Sequence, residues 1–131
     1  MKREIKFNSQ VYTTKEQSER LLKLGLKPET ADMCIDLYYE DEPFVVYNNK
    51  IDYSKQIEFV PAWSLHRLIE MCPLIPNPSR FLAVTSFKTV YVRMNDEMDV
   101  SYKGQGTYNN LISCIEWLIK EGYFNKEYLK Q

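Results

Sequence analysis

The chain of 131 residues contains one histidine, three cysteines, four glycines and no long uninterrupted apolar run. Each scarcity narrows what the protein can be. Runs of only a few apolar residues fall well short of the roughly 18 needed for a membrane-spanning helix. The charged start, Met1 to Lys6, leads into Phe7, Asn8, Ser9 and Gln10 rather than into the apolar core of a secretory signal. A membrane partner is therefore not expected, and the expected location is the cytoplasm. Cys34, Cys72 and Cys114 are odd in number, far apart and outside any C-x-x-C pair, so reduced thiols are expected in place of a disulfide framework. Three scattered cysteines and one histidine also lack the short ligand pairs of a structural zinc site. Neither a metal nor another cofactor is expected.

The single histidine concentrates any His-dependent catalysis on His66. On a helix it would share a face with Glu70 at i+4, an arrangement suited to an acid oriented by a carboxylate. A small hydrolase or transferase would have to use this histidine, with Cys34 or Cys114 brought near by folding. No local signature surrounds either cysteine, and no residue is assigned a catalytic role. The acidic groups Glu40, Asp41 and Glu42, and Asp96, Glu97 and Asp99, follow no calcium-loop pattern and read as solvated turns. Gly104-Gln105-Gly106-Thr107 enters a helix as an anion-binding turn would, but position 109 is Asn and the P-loop Lys is missing. A plain turn explains it.

A net charge of −1 argues against a polyanion as the main partner, because phosphate binding depends on summed basic charge. The charge is uneven, however. Met1 to Lys27 holds seven basic and three acidic residues, whereas Pro28 to Val60 holds two basic and eight acidic, so the two segments should attract each other.

Composition is that of an ordinary globular protein, with 44% hydrophobic and 27% charged residues, and the length suits one domain over residues 1–131. Thr13 with Glu16, or Thr14 with Gln17, has the spacing of a capping box and predicts a helix near Lys15 to Leu24, ended by Gly25. Pro28, Glu29 and Thr30 signal a turn that can open a short helical segment through Ala31 and Met33. Short strands are expected at Ile35 to Tyr39, Phe44 to Tyr47 and Ile57 to Val60, the last ending at Pro61. Ser64 can cap a second helix whose Leu65, Leu68, Ile69 and Cys72 recur at helical spacing until Pro73. Pro73, Pro76 and Pro78 predict a stiff extended linker. Phe81 to Thr85, Thr89 to Met94 and Met98 to Tyr102 read as three strands, with a hairpin turn at Asn95 to Glu97.

Thr107 is expected to cap the last helix, with Tyr108, Leu111, Ile112, Ile115, Leu118 and Ile119 on one broad face before Gly122. Asn109, Ser113, Glu116 and Lys120 fall opposite, with Trp117 beside them. The fold class expected is α+β: an antiparallel sheet of about four to six strands with three main helices packed on it.

Aromatic residues make up 14% of the chain. Phe87, Tyr91 and Arg93 on one sheet face could stack bases and contact phosphates, although no RNP-like motif accompanies them. Surplus Tyr and Trp serve a protein interface equally well. Trp63, Trp117 and Tyr123 are the candidate exposed anchors.

Three phrases carry a resemblance: TKEQSERLLKLGLKPETADM (Thr14 to Met33), VPAWSLHRLIEMCP (Val60 to Pro73) and YNNLISCIEWLIKEGYFNKEYLK (Tyr108 to Lys130). Together they resemble a group of small uncharacterised proteins of gut anaerobic bacteria and of their prophages and mobile elements. The resemblance implies a bacterial or phage setting and transfers no activity, catalytic residue or ligand. The expectation is a non-enzymatic accessory protein that binds another protein or a second copy of itself as a homodimer. Nucleic-acid binding is the alternative, and an enzyme built on His66 a second one.

Overall fold

A computed structural model describes residues 9–39, 42–45, 51–53 and 58–130. Its three α-helices are α1 (Lys15–Lys23), α2 (Leu65–Glu70) and α3 (Thr107–Lys120). Six short strands, β1 (Met33–Asp36), β2 (Glu42–Val45), β3 (Phe59–Ala62), β4 (Arg80–Val84), β5 (Lys88–Arg93) and β6 (Met98–Lys103), form two sheets. Both are antiparallel and three-stranded, in the orders β2-β1-β3 and β4-β5-β6. The α+β class holds, but the expected single sheet is divided in two. The segment Ala62 to Ser79 leaves the first sheet, forms α2 and a proline-containing turn, and starts β4 in a separate ladder.

Helix starts follow local chemistry closely. Of the two capping boxes the sequence allows, Thr14 with Gln17 forms: Gln17 N–H donates to Thr14 Oγ1 at 3.1 Å, and Thr14 N–H donates to Gln17 Oε1 at 3.0 Å. Thr13 is instead fully buried, donating its N–H to Trp63 O at 2.9 Å while its Oγ1 accepts Trp63 N–H at 3.0 Å. Ser64 caps α2 by accepting Arg67 N–H at 3.1 Å, and its own hydroxyl donates to Asp32. Thr107 is not a cap. Gly106 occupies the N-cap position without a side chain, and Asn110, one turn on, accepts Gln105 N–H at 3.3 Å.

Pro61 does not end its strand. It lies inside β3 opposite Cys34, and Pro43 lies inside β2 opposite Ile35. Both strands are edges, where a missing N–H need not break a ladder, and the central β1 has no proline. β1 is shifted from the expected Ile35 to Tyr39: the short helical segment covers only Pro28–Thr30, so the strand starts at Met33, and it ends at Asp36, where Asp36 Oδ1 accepts Tyr38 N–H at 2.9 Å and the chain turns into a 3₁₀ segment at Leu37–Tyr39. The expected strand at Phe44 to Tyr47 extends beyond the described residues, as do Glu40 and Asp41. Pro73 to Pro78 is a closed turn rather than an extended linker: Ile75 and Arg80 exchange both backbone hydrogen bonds, at 3.0 and 2.8 Å, and Ile75 is buried.

The core gathers around α3. Tyr108, Leu111, Ile112, Cys114, Ile115 and Leu118 are all buried, against Leu21 of α1, Leu68 of α2 and Tyr91 of β5. The side of α3 read as polar is also partly covered. Gln17 Nε2 donates to Asn109 Oδ1 at 3.1 Å, and Arg20 donates to Ser113 Oγ at 3.1 Å while pairing with Glu116 at 3.2 Å. Arg20, from the basic first segment, is thus drawn to α3 rather than to the acidic stretch that follows it in sequence.

Thr89, fully buried under α3, has a hydroxyl with no hydrogen-bond partner. A buried unsatisfied hydroxyl is destabilising, and valine has the same shape. Thr89→Val is expected to stabilise the fold by about 1 kcal/mol, read as a higher midpoint in urea unfolding.

Candidate interaction surface

The three aromatic residues expected at the surface fall in different environments. Trp63 is completely buried, with Nε1–H donated to Thr30 Oγ1 at 3.0 Å, and so cannot act as an exposed anchor. It follows β3 directly and belongs to the core cluster with Leu21, Leu68 and Leu111, which the residue type did not reveal. Trp117 is half-buried, and Tyr123 is 37% exposed. These two rings meet in a tilted contact with centroids 5.7 Å apart, and Trp117 packs at the same separation on buried Tyr91. The series of contacts continues into charge, for the Arg80 guanidinium lies 5.1 Å from the Tyr123 ring centroid and pairs with Asp99. Asp99 also accepts from Arg93 Nε at 2.9 Å. Two guanidiniums on one carboxylate, Arg80 first, hold Asp99 below the usual carboxylate range.

The same cluster and the core take up two of the three residues of the expected base-stacking face. Side chains alternate along β5, and Thr89, Tyr91 and Arg93 point inward. Tyr91 is fully buried, with its hydroxyl donated to Pro73 O at 2.8 Å, and Arg93 is occupied by Asp99 and, at 3.8 Å, by Glu97. Of the trio, Phe87 alone is exposed, in the β4–β5 turn.

His66 is exposed on α2, and the carboxylate of Glu70 is engaged by Arg67 at 3.3 Å. An open cleft of about 560 Å³ beside this helix is bordered by Glu29, Arg67, Glu70 and Glu127, with His66 outside its walls. Burial raises the thiol pKa of Cys34, Cys72 and Cys114, the last to about 12, so all three are poor nucleophiles at neutral pH. Among the described residues no group of three or more His, Cys, Asp or Glu side chains could hold a metal ion, and no helix is long and apolar enough to cross a membrane.

The surface feature missed in the sequence is the outer face of the second sheet. Its inner face, made by Leu82, Val84, Thr89, Tyr91, Val100 and Tyr102, packs on the core. The opposite face carries cross-strand rows Phe81–Val92–Met98, then Ala83–Val90–Ser101, then Lys88–Lys103, with Val90 at its centre buried. Phe81 is 41% and Met98 53% exposed, and Phe87 and Met94 in the adjoining turns are 61% and 80% exposed. The only available signal was the period-two alternation of β4 to β6, which identifies the two faces without saying which one a helix covers.

Two measurements check this arrangement. Iodide should quench the fluorescence of Trp63→Phe, which retains Trp117, more efficiently than that of Trp117→Phe, which retains buried Trp63. Because the pKa of Asp99 is depressed in the folded state, its ionic contribution is present above the ordinary carboxylate pKa and is lost as pH falls through the folded value. Asp99→Asn should therefore lower Tm at pH 7, with the gap to wild type narrowing in strongly acidic buffer.

Comparison with known protein families, with curated proteins and with solved structures returns no match.

Proposed function

We propose that this chain is a non-enzymatic accessory protein of a bacterial phage or mobile element, working in the cytoplasm by binding another protein. The observation that carries the reading is the concentration of Phe81, Phe87, Met94 and Met98, all exposed, on one three-stranded sheet and its turns. Phe81 and Met98 flank Val92 in one cross-strand row, while Phe87 and Met94 stand at the two ends of β5, and exposed apolar side chains gathered on one face mark interaction sites. Methionine and phenylalanine are also enriched in protein interfaces. The resemblance of the Thr14–Met33, Val60–Pro73 and Tyr108–Lys130 phrases supports the phage or mobile-element setting.

The alternatives draw less support. The proposed base-stacking trio has lost Tyr91 to the core and Arg93 to Asp99. A catalytic role for His66 has no free carboxylate at Glu70 to orient it.

The test is affinity purification of the tagged full chain from the strain that encodes it, with and without nuclease, read by mass spectrometry. A protein enriched in stoichiometric amount and resistant to nuclease is the expected result. Recovery that disappears with nuclease, or no partner at any salt concentration, overturns the reading.

A further inference from the structure

We propose that the outer face of the β4-β5-β6 sheet receives a single segment of a partner protein, apolar along its length and ending in carboxylates that lie over Lys88 and Lys103. The inference rests on the protein-binding reading and adds the site and the chemistry of what it takes.

The charge pattern is the first support. Lys88 and Lys103 are directly opposed across β5 and β6 and face the same side, a like-charge pairing that is unfavourable by itself. Neither makes an ion pair among the described residues, and Lys88 Nζ lies instead 4.0 Å from Met98 Sδ. Of the acidic residues of the β5–β6 hairpin, Asp99 is committed to Arg80 and Arg93 and Glu97 to Arg93, while Asp96 lies exposed in the turn at the end of the sheet away from Lys88 and Lys103. Along the backbone the face runs from Phe81, Val92 and Met98 to Lys88 and Lys103, and the Lys88 ammonium reaches back beside Met98, so the complement of the face is an apolar segment that carries carboxylates.

Size selects among occupants. Three strands spaced about 4.8 Å apart, with five or six residues rising about 3.3 Å each, offer a face of roughly 300 Å². A stable association between folded proteins buries about 800 Å² on each partner. The face is thus too small to hold a second copy of this chain by itself, and it fits one helix or extended segment. Single-stranded RNA is disfavoured by the same inventory, since base stacking needs successive aromatic platforms and a basic groove. Here Phe81 is the one ring within the rows and two lysines are the only cations.

The test titrates the full chain against fluorescent synthetic peptides that share one leucine-valine core and end in Asp-Asp-Glu, Lys-Lys-Arg or Ser-Ser-Gly, with oligouridine as a further probe. The acidic-ended peptide should bind roughly tenfold more tightly than the basic-ended one. The double variant K88E/K103E, with Lys88 half-buried and Lys103 exposed, should reverse that order, and F81S/M98S should weaken all three peptides. Equal affinity whatever the peptide end, an unchanged order in K88E/K103E, or no peptide binding overturns the proposal. So does tighter, steeply salt-dependent binding of oligouridine, or a dimer in sedimentation that F81S/M98S dissolves. A partner recovered from cells equally well by both double variants would place its site elsewhere, overturning this proposal while leaving the protein-binding reading intact.

Discussion

Burial of α3 is the constraint on which the other elements depend. Residues on three sides of this helix are removed from solvent, including Leu111, Ile112, Cys114, Ile115 and Leu118, each with no exposed surface. Each large aliphatic side chain among them contributes about 2 kcal/mol by leaving water, so a helix this apolar is stable only when covered on several sides at once. The second sheet covers it on one side, while α1 and α2 cover others. The sheet spends one face on this task, and its other face carries exposed Phe81 and Met98 around buried Val90. The candidate surface is thus a geometric result of how the core is closed.

Polar contacts then hold the pieces in register. Thr13 and Trp63 exchange backbone and side-chain hydrogen bonds, joining the chain before α1 to the chain before α2. Asp32 accepts from both the N–H and the hydroxyl of Ser64, fixing the cap of α2 to the start of the first sheet. Asn110, fully buried on α3, accepts Gln105 N–H and donates to Phe87 O, tying the helix start to the β4–β5 turn. Buried polar groups are tolerated when partnered this way, and they specify one arrangement where apolar packing alone would permit several. At the far end of the sheet Arg80, Arg93 and Asp99 perform the same role with charge.

Local chemistry in the sequence was sufficient for the starts of α1 and α2, the three strands of the second sheet and the extent of α3, because caps, turns and periodicity act between residues a few positions apart. Thr14 with Gln17, Ser64, and the apolar face from Tyr108 to Leu118 are such signals. What only the tertiary structure decided involves contacts distant in sequence. Trp63 is sealed beneath Thr30 rather than exposed, Tyr91 supports α3 rather than a ligand, and Arg20 covers Ser113 on the side of α3 that composition marks as polar. The division into two sheets and the outer face of Phe81, Met98, Lys88 and Lys103 belong to the same class. Alternation along a strand distinguishes its two sides, but which side meets the core is set by where a helix from another part of the chain comes to rest.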